Sequence, residues 1–324
     1  MPTVLILGAT GYIGLALSQA LLRSGAFTVY GTARSDEKAK TLLLNEITPL
    51  QNPDILKPEV LASVIAKHRF DLVIDVTSAY EDATAILQGV VQAAKQRREA
   101  YENENAVGPK LGFIYTCGTW IHGDSYDAEG LGDLVVPGTS LHGPKPAAAV
   151  AWRPAHEQAV LKARDELDLA VVRPGQIYGR GSWIFTEWWK PILDASRDPA
   201  GAATVKIPAN ADARSGVVHV DDLAEAVVAV AQKIHGGLGN WPVIDIGAEF
   251  ITIQESTDAV KKAFDVAAPT EFVGTGGNVF LDAMSLRMEY DTSRARYLLG
   301  WEPKRTNFVK DVKGVVAAWR ATNF

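Results

Sequence analysis

In the first half of the chain, short apolar runs alternate with longer amphipathic stretches. "TVLILG" (3–8) is an unbroken β-rich run, the pattern of a strand buried on both faces of a parallel sheet. "GATGYIG" follows, then "LALSQALLRSG", an amphipathic stretch that predicts a helix ending at Gly25. "FTVYGTAR" (27–34) predicts a second strand, "ITPLQNPDI" (47–55) a short strand and a loop, and "KPEVLASVIAKH" (57–68) a helix. "FDLVIDVTSAY" (70–80) predicts a strand ending in small polar residues. "EDATAILQGVVQAAKQRR" (81–98) predicts a helix opened by acids and closed by bases, as the helix dipole prefers. A polar loop (99–110) then leads to a strand and its exit, "LGFIYTCGTWIHG" (111–123). This alternation predicts an α/β fold with a doubly wound parallel sheet, in which ligands gather at the carboxyl ends of the strands.

The pattern changes further on. A helix is predicted over 150–166, an aromatic helical stretch over 182–195, a strand over 203–209, and helices over 222–233 and near the C-terminus. The expected organisation is a dinucleotide-binding Rossmann domain over 1–175, with sheet contributions from 215–250. A smaller α/β substrate-binding region over 176–324 is interleaved with it.

Composition narrows the function. The chain has 324 residues, 47% hydrophobic and 22% charged, which suits a globular protein with a substantial core. Its net charge is -6 and no Lys/Arg stripe is present, so neither nucleic acid nor an anionic membrane is the expected partner. Cys117 is the single cysteine and no Cys/His group has zinc spacing, so no internal disulfide and no metal site is expected. A cytoplasmic monomer or homodimer acting on a small molecule fits these features.

The candidate chemistry begins at the glycine turn. Gly8, Thr10, Gly11, Tyr12, Ile13 and Gly14 lie between a strand and a helix. There glycines let the backbone approach a pyrophosphate and the helix N-terminus offers free N–H groups. Arg34 and Ser35 follow the second strand, where a carboxylate would select NAD. A guanidinium suits a 2′-phosphate, so NADP is the expected cofactor, with NAD the alternative. Asp54 is placed to accept from the adenine amino group, with Ile55 against the ring. Val76, Thr77 and Ser78, at the end of the fourth predicted strand, complete the expected cofactor contacts on that side.

Several segments resemble the extended short-chain dehydrogenase/reductase family of NAD(P)-dependent epimerases, dehydratases and carbonyl reductases. They are the glycine turn, "FIYTCGTWIHG", "VVRPGQIYGRG" (171–181), "RSGVVHVDDLAEAVVAV" (214–230) and "YDTSRARYLLGWEPK" (290–304). The resemblance implies that Pro174, Gly175 and Ile177 lie beside the nicotinamide. It also implies proton chemistry by a tyrosine, a lysine four residues later, and a serine or threonine.

The chain departs from that pattern. No tyrosine has a lysine four residues later; Trp152 falls at the tyrosine position and His156 at the lysine position. Gly118 falls at the serine position, with Thr119 next to it. The expected site is therefore Thr119 and His156 as a rebuilt relay, with His156 also bonding the nicotinamide ribose, Trp152 as a stacking or packing residue, and Arg153 as a cation for a substrate oxyanion or carboxylate. The leading reading is an NADP-dependent oxidoreductase acting on a small carbonyl or hydroxyl compound. The alternatives are an NAD(P)-dependent epimerase or dehydratase, and a redox sensor that binds NADP without turnover.

Overall fold

The computed structural model describes residues 1–51, 53–126, 136, 144–198 and 203–324. The first half runs β1 (Thr3–Leu7), α1 (Tyr12–Ser24), β2 (Thr28–Ala33), α2 (Asp36–Leu43), β3 (Thr48–Gln51), α3 (Pro58–His68), β4 (Leu72–Asp75), α4 (Ala83–Asn103) and β5 (Leu111–Thr116). There follow α5 (Arg153–Lys162), β6 (Leu167–Pro174), β7 (Gln176–Tyr178), α6 (Thr186–Arg197), β8 (Val205–Ile207), β9 (Arg214–His219) and α7 (Val220–Lys233). The chain ends with β10 (Val243–Ile246), β11 (Glu249–Thr252), α8 (Ile253–Ala263), β12 (Thr270–Phe272), α9 (Val279–Met284), α10 (Ser293–Leu299) and α11 (Phe308–Asn323).

Seven strands pair in parallel in the order β10-β6-β5-β4-β1-β2-β3. Residues alternate between the two faces: Val4 and Ile6 join the core under α1 and α7, while Leu5 and Leu7 join the core under α3 and α4. That double burial is why the strands read as unbroken apolar runs. The chain reverses direction across the sheet between β1 and β4, and this opens a crevice at their carboxyl ends.

Within 215–250, β10 joins the large sheet. β9 pairs with β7 and β11 in a separate three-stranded sheet, and β12 pairs with β8. Phe185, Trp188, Trp189, Phe308 and Trp319 build the core of this second region. Several boundaries differ from expectation, and two have a local cause. β4 stops at Asp75, because Asp75 turns back to cap the following residues. α4 continues through 99–103, where a loop is expected; Tyr101 packs its ring over Gly108 and secures the polar last turn.

Candidate active site

The glycine turn is shaped by close backbone approaches. Gly8 has φ 86°, and a Cβ there would lie 3.1 Å from the Val76 carbonyl oxygen. A Cβ on Gly14 would come within 2.1 Å of the Gly8 oxygen, so α1 packs onto the turn only with glycine at that position. Gly11 caps α1 without a side chain, and the first turn carries no acid. The N–H groups at this helix end therefore remain available to an anion. Thr10 is half-buried beside them. Tyr12 donates its hydroxyl to the Gly179 oxygen at 2.8 Å, which ties the turn to the loop after β7. These features fit the pyrophosphate of a dinucleotide.

Arg34 and Ser35, just after β2, are exposed and lie outside the cavity lining, as do Asp54 and Ile55; Ser35 caps α2 by accepting from the Lys38 N–H at 3.2 Å. Asp54 is exposed and pairs with Lys57 at 3.2 Å. Ile55 is half-buried against the core beneath.

A cavity of about 360 Å³ runs from the glycine turn across the strand ends. It brings together Gly11, Tyr12 and Ile13 with Val76, Thr77 and Ser78 after β4. Thr119, Trp152, Arg153, Pro174, Gly175 and Ile177 face the same space. Trp120, Trp183, Ile184 and Tyr80 supply aromatic and apolar wall. Among the described residues, one cation lines the cavity, Arg153, and one carboxylate, Asp75.

Arg153 occupies the space left by a missing side chain. Its Nη1 donates to the Cys117 oxygen at 3.1 Å, and a Cβ on Gly118 would lie only 2.6 Å from that nitrogen. Gly118 has φ 154°, which also disfavours other residues. The guanidinium thus sits where a serine side chain at 118 would begin. Its Nε is buried without a partner, and its carbon lies 5.7 Å from the Trp152 ring centroid.

His156 is not among the cavity-lining residues. It is 6% exposed, edge-on to Tyr115 at 4.8 Å and tilted against Trp152 at 5.9 Å. Burial holds its pKa below the ordinary histidine value, which favours the neutral ring. Thr119 lines the cavity from a buried turn after β5, beside the Tyr290 phenol, which burial pushes well above its ordinary value.

Sequence reasoning missed Asp75. It ends β4 at 3% exposure, and its Oδ1 accepts from the Thr77 N–H at 2.9 Å and the Thr77 hydroxyl at 2.7 Å. Burial pushes the carboxyl up to about 6 despite the two hydrogen bonds, which act the other way. The signal was a carboxylate closing an apolar strand, with threonine two residues on.

Behind the cavity, Arg173 of "RPGQIYG" binds both carboxylate oxygens of Glu157, through Nε at 2.9 Å and through Nη2. Asp245 lies 3.7 Å from Nη1 of the same guanidinium and pairs with His122 Nε2 at 2.7 Å. All four side chains are fully buried. Arg214 lies on β9 outside the cavity lining, over the rings of Tyr126 and Phe250 and 3.8 Å from Glu289.

Residues 4–108 match the family model described as "NAD dependent epimerase/dehydratase family". No curated protein matches the sequence. Among solved structures, dTDP-glucose 4,6-dehydratase from Bacillus anthracis in complex with NAD is similar at TM-score 0.70 and 13% identity, over 100% of this chain and 97% of that one. UDP-glucuronic acid 4-epimerase from Bacillus cereus, with UDP-glucuronic acid and NAD, gives 0.69 and 17%, over 98% and 99%. UDP-glucose 4-epimerase from Bifidobacterium longum, with NAD+ and UDP, gives 0.65 and 15%, over 99% and 98%. The chain matches the model of the NAD dependent epimerase/dehydratase family over residues 4–108 and, along nearly its whole length, shares the fold of these dehydratase and epimerase structures.

Proposed function

We propose that this protein binds a nicotinamide dinucleotide along the strand ends and acts on a carbon–oxygen centre of a small, largely apolar substrate. The observation that carries the reading is the continuous cavity joining the glycine turn to Arg153. The family match and the NAD-bound relatives favour epimerase or dehydratase chemistry over the net reduction expected at the outset. A nicotinamide held between the glycine turn and Pro174–Ile177 would supply the hydride acceptor and donor for such a cycle.

The chain's own residues then have distinct tasks. Arg153 donates hydrogen bonds to the substrate oxygen, since its buried Nε lacks a partner and a guanidinium stabilises developing negative charge. Trp120, Trp152 and Trp183 enclose the substrate and exclude water. Thr119 supplies a further hydroxyl. His156 keeps Tyr115 and Trp152 in place from beneath. Relatives solved with UDP-linked ligands accommodate a diphosphate. Here Arg153 is the single cation among the described lining residues and Arg214 is engaged elsewhere, which supports a smaller, less charged substrate.

The exposed Arg34 supports a preference for the phosphorylated cofactor. The test is titration with NAD+, NADH, NADP+ and NADPH, followed by tryptophan quenching. The expected result is saturable binding, with Arg34→Ala weakening NADPH more than NADH. Equal weakening of both removes the phosphate preference, and absence of binding removes the reading itself. With a turned-over substrate, catalytic amounts of cofactor should sustain many cycles without net reduction. Stoichiometric cofactor consumption would instead establish a reductase.

A further inference from the structure

Among the described lining residues there is no lysine, none of the three tyrosines, Tyr12, Tyr80 and Tyr115, has a lysine four residues on, and Trp152 and His156 stand where the family this chain resembles has its proton-exchanging pair; the Arg153 guanidinium cannot replace that pair, because arginine does not give up its proton in proteins. The nearby imidazole of His156 lies outside the lining. Asp75 lies within it. We propose that Asp75 is the proton-transfer residue of this site, its Oδ2 exchanging the proton of the substrate hydroxyl that Arg153 holds. The inference rests on the reading above that the cavity binds a nicotinamide cofactor and its substrate.

Three features of the geometry carry it. First, Asp75 is the one carboxylate among the described lining residues. Second, both Thr77 bonds go to Oδ1, so the backbone fixes the carboxyl plane while Oδ2 has no hydrogen-bond partner among the described residues. Third, Asp75 and Arg153 line one space: β4 presents the carboxyl and the start of α5 presents the guanidinium.

The neighbours leave the carboxyl free to titrate. Leu7 on β1 and Tyr115 on β5 stand opposite Asp75 in register. Burial keeps the Tyr115 phenol protonated, with Cys117 beyond β5, Asp75 itself and Glu157 of α5 acting the same way and Arg153 of α5 acting against them. The α4 end contributes Ala83, the β4–α4 loop Tyr80, and the α1 end Tyr12, whose phenol burial also keeps protonated. The carboxyl's elevation to about 6 arises from burial and not from a neighbouring charge. A group titrating there can take and return a proton near neutrality.

The step balances. When the substrate hydroxyl is oxidised, the carbon-bound hydrogen leaves with its electron pair for the oxidised nicotinamide, and the hydroxyl proton passes to the Asp75 carboxylate. The resulting carbonyl oxygen stays on Arg153, and the reverse step restores both.

The experiment compares wild type with Asp75→Asn, which preserves the shape and an oxygen for Thr77. In wild-type protein labelled with 13C at the aspartate carboxyls, the resonance missing from the variant is titrated with and without the oxidised cofactor, NADP+ or NAD+, that the quenching titration shows to bind. A midpoint near 6 that moves when that cofactor is added is expected. A midpoint in the ordinary aspartate range, or one indifferent to the bound cofactor, overturns the proposal. In turnover of a ketone and alcohol panel, the variant should lose about 100-fold or more in kcat, together with the pH limb near 6. An unchanged pH profile likewise overturns the assignment. Tryptophan quenching separates the two failures: if NAD(H) and NADP(H) do not bind wild type, the cofactor reading has failed. If they bind and the carboxyl titrates ordinarily, only the role of Asp75 has.

Discussion

Burying Asp75 has a cost that can be measured without any substrate. Its carboxyl titrates near 6 in the fold against an ordinary 3.8, so the folded state holds that proton more tightly than the unfolded chain does. The resulting stabilisation is fully present below about pH 4 and is lost as pH rises through about 6. Relative to Asp75→Asn, wild type should lose about 3 kcal/mol of unfolding free energy between about pH 4 and pH 7. Urea melts of both proteins across that range check this, and a pH-independent difference would contradict it. Asp75 went unread in the sequence because a strand-end acid usually reads as a solvated one; only the third dimension shows the walls around it. His156 has a related explanation. It lies on the expected helix, one turn beyond Trp152, but an imidazole lacks the reach of a lysine arm and stops against Tyr115. Arg153 and Gly118 form a pair that sequence alone hides, since 34 intervening positions separate two residues whose atoms compete for one space.

Among the elements, α1 carries the strictest demand. The turn from β1 brings Gly14 so close to the Gly8 oxygen that a methyl group cannot enter without moving the helix. Gly14→Ala should therefore weaken dinucleotide binding at least about tenfold, a change of about 1.4 kcal/mol, and lower the melting temperature. Isothermal titration with NADH and NADPH measures the first effect and calorimetry the second; wild-type affinity in the variant would show that α1 is free to shift. The turn was readable because strand, glycines and helix are contiguous. The parallel sheet was readable because apolar runs and amphipathic stretches alternate. The extension of α4 was not: its last turn is polar, and what favours helix there is the Tyr101 ring over Gly108 and the Arg98–Glu102 pair at 3.6 Å. The aromatic stretch 182–195 divides in two. Phe185, Trp188 and Trp189 enter the core while Trp183 reaches the cavity, a division set by the start of α6 at Thr186.

Across the whole molecule, the buried ionic group joins parts distant in sequence. Glu157 on α5, Arg173 on β6, Asp245 on β10 and His122 after β5 lock the helix that carries Arg153 onto the sheet. Glu157→Ala removes the bidentate partner of a fully buried guanidinium and should cost about 3–5 kcal/mol in denaturant unfolding, whereas a loss below about 1 kcal/mol would mean the pocket rehydrates. Cys117 lies at the junction of these parts, its N–H donating to the Val172 oxygen at 2.7 Å and its carbonyl accepting from Arg153. Burial pushes its thiol up to about 12, so it is almost wholly un-ionised and shielded at neutral pH. As the chain's single cysteine, it is a built-in clock. Alkylation should await rare separation of the strand ends, and the ratio of native to denatured labelling rates reports the free energy of that breathing motion. Saturating dinucleotide should slow the clock by the factor by which it outcompetes opening; labelling as fast as an open thiol would reveal a crevice far looser than the packing implies.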